Sequence, residues 1–552
     1  MAKIRALAIQ GDRTDAKTWR RLLAASLVAA GLVSMKLGQD ANWDWMNYHV
    51  YNAWALLHRR WNVDLFAAGI QSYLNPLLDL PYYLLAFEWL PDKPRAVAFL
   101  MGLPYGVLAF CTLRCAHAVL EDLAVRPAAR LPGAALLAAF GLTGAATLPQ
   151  VGATFNEIPV AALLIAGVAL LLTGLRSGAS IPERSFPIRL SLAAGGLFGL
   201  AAGLKLTAVL YAPAAVIALA CALRNPRRAV EAAAAFSFAW GAGFCISYGW
   251  WAWHLHAQTG NPMFPFLENL FGTAWLGSGG GLDHQFKPRS LTQALFYPFH
   301  WMRPNAGVVT EPLFADPRFA IAFVVLATAC ALAAFARRKE PDALADRRMP
   351  RSCVFVLAFV TAGYVTWLAV SSIFRYAVAI EALLGPAMGI AIVVAGRRLS
   401  RASVERNLIA GMLILLVGSA ALTHYPRWGR VRYGDAVLRI EPVKLAPGGL
   451  VILLGPPQAY VAPSLEAVNP GVRFIGITDD LWNARAFRLW QEITRRIDAH
   501  AGAIHVMVRL DAAARMNLVP ELRLELDRES CRDFASSVDQ GFRICRARKP
   551  NR

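Results

Sequence analysis

Acidic residues are scarce in this chain. Asp and Glu number 36 against 56 Lys and Arg in 552 residues, and charged residues of both signs make up only 17%. An average soluble domain carries about 25% charge, so composition excludes a disordered chain and a coiled coil, both of which need abundant charge. Cysteine is sparse too: there are eight, and six lie in or beside apolar stretches, where they read as small packing groups. No glycine-rich phosphate loop is present, which argues against a nucleotide-activated substrate. No clear internal repeat is found, and the first apolar stretch runs into an acidic, aromatic segment rather than a small-residue cleavage site.

What is abundant is apolar sequence, at 57% of residues and a mean hydropathy of +0.42. That excludes a simple anchor and indicates a polytopic membrane protein. Twelve apolar segments can be drawn, at 22–37, 76–90, 96–113, 131–148, 158–175, 190–204, 207–223, 229–253, 319–336, 353–372, 377–395 and 408–422. Positive charge orients them. Six Lys/Arg precede the first segment, three follow the seventh, six separate the ninth from the tenth, and four separate the eleventh from the twelfth. These stretches are expected to be cytoplasmic. Arg114, Arg126, Arg130, Arg176, Arg184 and Arg189 then fall on the same side if segment 76–90 does not span. It is short, about 22 Å as a helix, and carries Asp79, Pro81 and Glu88, so it is expected to lie in the outer interface. The result is eleven spans with the N-terminus inside. Of the net +20, +16 sits in the cytoplasmic stretches, so the basic surplus reports orientation and nucleic acid drops out as a partner.

Two outer loops are long, 38–95 and 254–318, the latter containing the flexible run Gly277 to Gly281. Long loops on one side of a bundle usually carry the chemistry. Residues 1–424 are expected to form the membrane domain. Residues 425–552 are expected to form a small α/β domain outside the membrane, with strands near 450–455, 473–477 and 504–508 and a helix near 484–499. Cys531 and Cys545 could form a disulfide there. The fold class is thus an all-α transmembrane bundle plus a C-terminal α/β domain.

The first outer loop opens with Gly38-Gln39-Asp40-Ala41-Asn42-Trp43-Asp44-Trp45-Met46-Asn47-Tyr48-His49. A carboxylate kept ionised near low-dielectric surroundings can act as general base toward a hydroxyl. The structural alternative is an acidic turn capping the next helix, the commoner case in an arbitrary membrane protein.

This loop, with Asp44 four residues before Tyr48, followed by Tyr73-Leu74-Asn75-Pro76-Leu77-Leu78, resembles the GT-C superfamily of lipid-linked-sugar glycosyltransferases, which includes protein mannosyltransferases and lipid A aminoarabinose transferases. The resemblance covers roughly the first 425 residues and leaves the individual family open. It implies Asp44 as catalytic base, with Asp40 beside it and Glu157 of Phe155-Asn156-Glu157 as a second acid, where many members have Asp. It also implies a polyprenyl-phosphate sugar donor whose phosphate is met by Arg375 and Tyr376 of Ser372-Ile373-Phe374-Arg375-Tyr376, and by Lys205. Tyr48, His49 and Asn75 become candidates for substrate contact. A divalent cation shared by Asp40, Asp44 and Glu157 is allowed but not required, since many members use none. A snorkelling anchor remains the alternative for Arg375 and more so for Lys205.

Other residues read more plainly. His254 and His256 lack a third ligand and read as interfacial. His58, Arg59 and Arg60 are expected to face lipid headgroups. Asn261-Pro262 with Phe264 and Phe266 reads first as a rigid interfacial turn and second as part of a lipid groove. The absence of eukaryotic sorting signals points to a bacterial inner membrane with the C-terminal domain periplasmic. The partners expected are a polyprenyl-phosphate sugar, membrane lipid and an unidentified acceptor. Two rivals remain: a flippase for lipid-linked saccharides, which would place ionisable or broken spans at the midplane, and a polysaccharide polymerase or ligase, which would rely on outer-loop Arg and His.

Overall fold

The structure, a computed structural model, describes residues 16–176, 186–276, 285–336, 349–399, 404–479, 481 and 485–550. The Gly277–Gly281 run, Arg184, half of the N-terminal basic cluster and most of the 337–351 cluster lie outside the described residues. Among the described residues, seven helices are long and apolar enough to cross a membrane: Pro94–Asp122, Glu157–Leu175, Pro226–Thr259, Arg318–Phe335, Arg351–Val370, Phe374–Arg397 and Val404–Leu422. Three of the other expected spans are shorter apolar helices, Pro127–Leu142, Ile188–Leu204 and Leu206–Ala222. The last is Ala16–Leu37, with Lys17, Arg20 and Arg21 near its start and Lys36 at its end. The chain is a multi-pass membrane protein.

Small residues set how closely the helices approach. Helix 188–204 lies against helix 226–259 so tightly that a Cβ on Gly195 would sit 2.2 Å from the Phe236 carbonyl oxygen, and one on Gly199 2.0 Å from that of Trp240. Only glycine permits that contact. A second constraint is ionic. Arg318, fully buried, pairs with Asp316 at 3.0 Å and donates to the Phe140 carbonyl, Thr143 Oγ1 and Thr423 Oγ1, which ties three helix ends together.

Segment 76–90 departs from the expected helix. Pro76 and Pro81 cannot donate into a helical ladder, and the segment is a 3₁₀ turn Pro76–Leu78, one α turn Leu80–Tyr83 and a π turn Leu84–Trp89. Trp89 is exposed at its end.

Beyond the last helix the chain first returns to the bundle: β2 (Arg430–Val431) pairs antiparallel with β1 (Gln39–Asp40) of the first loop. A five-stranded sheet follows, in the order β4-β3-β5-β7-β6. Strands β3 (Leu450–Leu454), β4 (Arg473–Ile477) and β5 (Ile504–Arg509) are parallel and lie where expected. Helix Arg488–Ala499 buries Leu489, Trp490, Ile493 and Ile497 on one face. Strand β7 (Phe542–Arg548) pairs antiparallel with β5, and β6 (Glu525–Phe534) pairs antiparallel with β7 at the sheet edge. They escaped the sequence reading because β6 is an edge strand, mostly charged and half exposed. Cys531 and Cys545 form a disulfide joining these two strands.

The first loop is locked onto this sheet. Leu65 bridges to Ile475 beside β4, and Asp64 Oδ1 accepts the Phe474 N–H at 2.9 Å. Arg60 donates to both Asp64 oxygens, at 3.0 and 2.7 Å, and to the Val472 carbonyl at 2.5 Å. The expectation that Arg60 faces headgroups is therefore corrected: it is buried as the partner of a buried acid, while His58 and Arg59 stay exposed. Removing one member of a buried pair leaves the other unpaired, at a cost of about 3–5 kcal/mol. Asp64→Ala is expected to loosen the C-terminal domain, read as faster limited proteolysis between residues 425 and 450; an unchanged cleavage rate would contradict the lock.

Candidate active site

Four charged side chains from four separate elements meet at the end of the bundle that carries the sheet. Asp44 stands at the start of the π turn Trp45–His49, Glu157 opens helix 157–175, Lys205 caps the C-terminus of helix 188–204, and Arg375 lies in the 3₁₀ turn Phe374–Ala377. Arg375 Nη1 donates to Asp44 Oδ2 at 3.0 Å, and its Nε lies 3.9 Å from Glu157 Oε1. Lys205 Nζ donates to Glu157 Oε1 at 2.6 Å and to the Phe155 carbonyl. The carboxylates are nearly buried, at 7% and 3% side-chain exposure, whereas the two cations retain 17–18%. Positive charge therefore faces whatever enters.

Local sequence explains each position. Asn156 adopts a left-handed conformation (φ 70°), which Asn tolerates, and this turns the chain so that a helix starts at Glu157. There the helix dipole favours a carboxylate. Asn42 Oδ1 accepts the Trp45 N–H and fixes the turn holding Asp44. The close glycine contacts of helix 188–204 set where Lys205 emerges.

A cavity of about 120 Å³ opens beside this cluster, bordered among others by Tyr48, His49, Asn75, Asp79, Lys205, Arg375 and Tyr376. The Tyr376 ring lies under both cations, 5.5 Å from the Arg375 guanidinium and 5.8 Å from Lys205 Nζ. Phe264 and Phe266 also border it, as does Tyr248. Burial, then the neighbouring Asp44 charge, pushes the Tyr48 phenol well above its ordinary value, so it stays protonated and able to donate. Glu157 Oε2, Arg375 Nε and His49 Nε2 are buried without a hydrogen-bond partner among the described residues.

Two candidates occupy positioning places. Asp40 Oδ1 accepts from the Asn42 N–H and Nδ2, and its Oδ2 from the Thr154 N–H and Oγ1, at 2.7 to 3.3 Å. Four bonds engage it fully and tie the first loop to the segment before Glu157. Asn75 donates to the Gly203 and Ser247 carbonyls, at 2.8 and 2.9 Å, and accepts the Leu77 N–H. It clamps the first loop to the helix that ends at Lys205. His254 packs against Trp61 and Trp251, and His256 bonds the Gly260 carbonyl, in keeping with an interfacial place.

The sequence reading missed Asp79 and Asn156 as site residues. Asp79 Oδ1 contacts His49 Nδ1 at 2.6 Å and accepts from Asn156 Nδ2 at 2.7 Å. The available signal was an acid inside an apolar run, which normally marks function. As for a divalent cation, no three His, Cys, Asp or Glu side chains group to hold a metal among the described residues. Asp44 is paired with Arg375 and Glu157 with Lys205.

No family model matches the chain, and no curated protein matches it. Among solved structures it is similar to ArnT from Cupriavidus metallidurans bound to undecaprenyl phosphate, at 12% identity and a TM-score of 0.49 over 96% of this chain and 98% of that one. It is also similar to the oligosaccharyltransferase AglB from Archaeoglobus fulgidus, in complex with an inhibitory peptide and a dolichol-phosphate, at 12% identity and a TM-score of 0.43 over 94% of this chain and 74% of that one. At these values the similarities assign neither substrate nor mechanism to this chain.

Contacting buried charges couple by about 0.5–3 kcal/mol. A double-mutant cycle of Glu157→Gln and Lys205→Met, followed by thermal unfolding in lipid nanodiscs, is expected to give a coupling of about 1–3 kcal/mol favouring the pair. Additive effects would show that the two charges do not hold each other.

Proposed function

We propose that the chain is an inverting glycosyltransferase of the GT-C type, which moves a sugar from a polyprenyl phosphate to an acceptor hydroxyl on the sheet-bearing side of the membrane. The observation that carries this reading is the pairing of Asp44 with Arg375 and of Glu157 with Lys205, with the two cations lining one cavity; we read Asp44 as the base and the cations as the phosphate-binding pair. Its location follows from the charge-based orientation, with the sheet domain, residues 425–552, periplasmic in a bacterial inner membrane.

The acceptor oxygen attacks the anomeric carbon, the bond from that carbon to the phosphate oxygen breaks, and the hydroxyl proton passes to Asp44. Arg375 and Lys205 stabilise the negative charge that develops on the leaving phosphate. Asp44 meets Arg375 through one N–H contact rather than a bidentate fork. An arriving phosphate competes for that guanidinium. As Arg375 turns to the phosphate, the Asp44 carboxylate is freed to accept a hydrogen bond from the acceptor hydroxyl. Glu157 holds Lys205 in place, and Asp40 holds the loop.

A second reading, a polymerase or ligase acting through outer-loop Arg and His, has one feature in its favour. A wider depression of about 620 Å³ is lined by Phe299, His300, Met302, Arg303, Pro304 and Asn305. None of these residues is a carboxylate, so the depression lacks a base of the Asp44 kind.

The test is incubation of the purified protein in nanodiscs with labelled polyprenyl-phosphate sugars. General-base catalysis contributes about 10²–10⁴-fold, so Asp44→Asn is expected to lower transfer or donor hydrolysis by at least about a hundredfold with normal expression and folding. Activity retained in Asp44→Asn but lost in His300→Ala or Arg303→Ala would move the chemistry to the other depression. Movement of the lipid between leaflets without turnover would make the protein a flippase.

A further inference from the structure

The pairing of His49 with Asp79 is not used by the mechanism above. His49 is 2% exposed and borders the cavity. Its Nδ1 is held by Asp79 Oδ1 at 2.6 Å, and Asp79 is held in turn by Asn156 Nδ2. With Nδ1 committed to a carboxylate, the ring is fixed in orientation and its other nitrogen, Nε2, remains. That atom is buried and has no hydrogen-bond partner among the described residues. An oriented imidazole with an unpartnered nitrogen at a cavity wall is a ligand-binding group unless something else satisfies it.

Charge indicates what it would bind. Asp79 borders this cavity together with two permanent cations, Arg375 and Lys205, which pair with Asp44 and Glu157; the Tyr48 ring lies tilted against the His49 ring at 4.1 Å between centroids and stays neutral. With His49 neutral the group carries a net −1, and an anionic lipid phosphate would deepen that to −2 or beyond. Histidine is the one side chain in the cluster that ordinarily changes charge near neutral pH. A proton on His49 offsets the incoming charge and turns Nε2 into a donor, while Asp79 stabilises the imidazolium from behind.

We infer that His49, oriented by Asp79, is a third cationic contact for the donor's phosphate, and that it takes up its proton when the phosphate binds. This rests on the polyprenyl-phosphate reading above and adds to it a pH-dependent binding group. The linkage has a definite sign. The bound phosphate raises the affinity of His49 for its proton, so the contact is fully present at low pH and is lost as pH rises through the bound-state value.

The probe is undecaprenyl phosphate, titrated calorimetrically into the full chain in nanodiscs between pH 6 and 9, in buffers of differing ionisation heat. Because the lipid phosphate itself titrates, the readout is the ratio of wild-type affinity to that of His49→Gln. We expect this ratio to be about tenfold near pH 6 and to approach one by pH 9, with wild-type proton uptake near neutral pH that His49→Gln loses. Asp79→Asn keeps the ring but removes its supporting charge, and should reduce the uptake; it carries the test if His49→Gln fails to fold. A ratio that does not change with pH, or equal proton uptake in both proteins, would overturn the inference while leaving the transferase reading intact. If the wild-type protein binds no undecaprenyl phosphate at any pH, the polyprenyl-phosphate reading falls and this inference falls with it.

Discussion

The contact of Arg375 with two acids is the constraint on which this molecule turns. Two carboxylates with almost no solvent exposure cannot remain ionised at the edge of an apolar bundle unless cations reach them. Asp44 comes from a loop after the first helix, Glu157 from a helix start more than a hundred residues on, and Arg375 from a turn near the last two helices. Lys205 closes the group from a fourth element. Those elements must converge for any one of the charges to be tolerated, so the architecture of this end of the bundle and the chemistry of its cavity have a single cause.

The supporting contacts follow from that need. Asp40 binds the Thr154 backbone, Asn75 binds the end of helix 188–204 and the middle of helix 226–259, and the glycine contacts of helix 188–204 bring Lys205, at its C-terminus, to the cluster. The C-terminal sheet contributes from outside. By engaging Arg60 and Asp64 it holds the far part of the loop whose near part carries Asp44. Removing that restraint would leave the loop anchored by its own polar turns and by the β1–β2 pairing alone on that side. The sheet thus serves the site without supplying a residue to the cavity wall.

Much of this was legible in the chain itself. The helices were legible because apolar runs and Lys/Arg clusters alternate, and that pattern is a direct record of transfer energies and membrane orientation. Asp44, Glu157, Lys205 and Arg375 were legible through the resemblance of their local segments to the GT-C superfamily. Their pairing was not, since it links residues up to 331 apart and depends on which helices adjoin. Arg60 looked like a headgroup contact because its partner, four residues on, sits on a sheet edge formed 400 residues later. Asp79 was read only as a reason for its segment not to span. Strand β6 carries alternating charges with no apolar stripe, so nothing local announces it.

The central claim is that the cavity beside Asp44 receives the phosphate of a lipid carrier. A density map of the full chain in nanodiscs with undecaprenyl phosphate tests it most directly. The account predicts phosphate density within hydrogen-bonding distance of Arg375 and Lys205, with the guanidinium drawn away from Asp44. Phosphate density against His300 and Arg303 instead, with Arg375 still on Asp44, would contradict it.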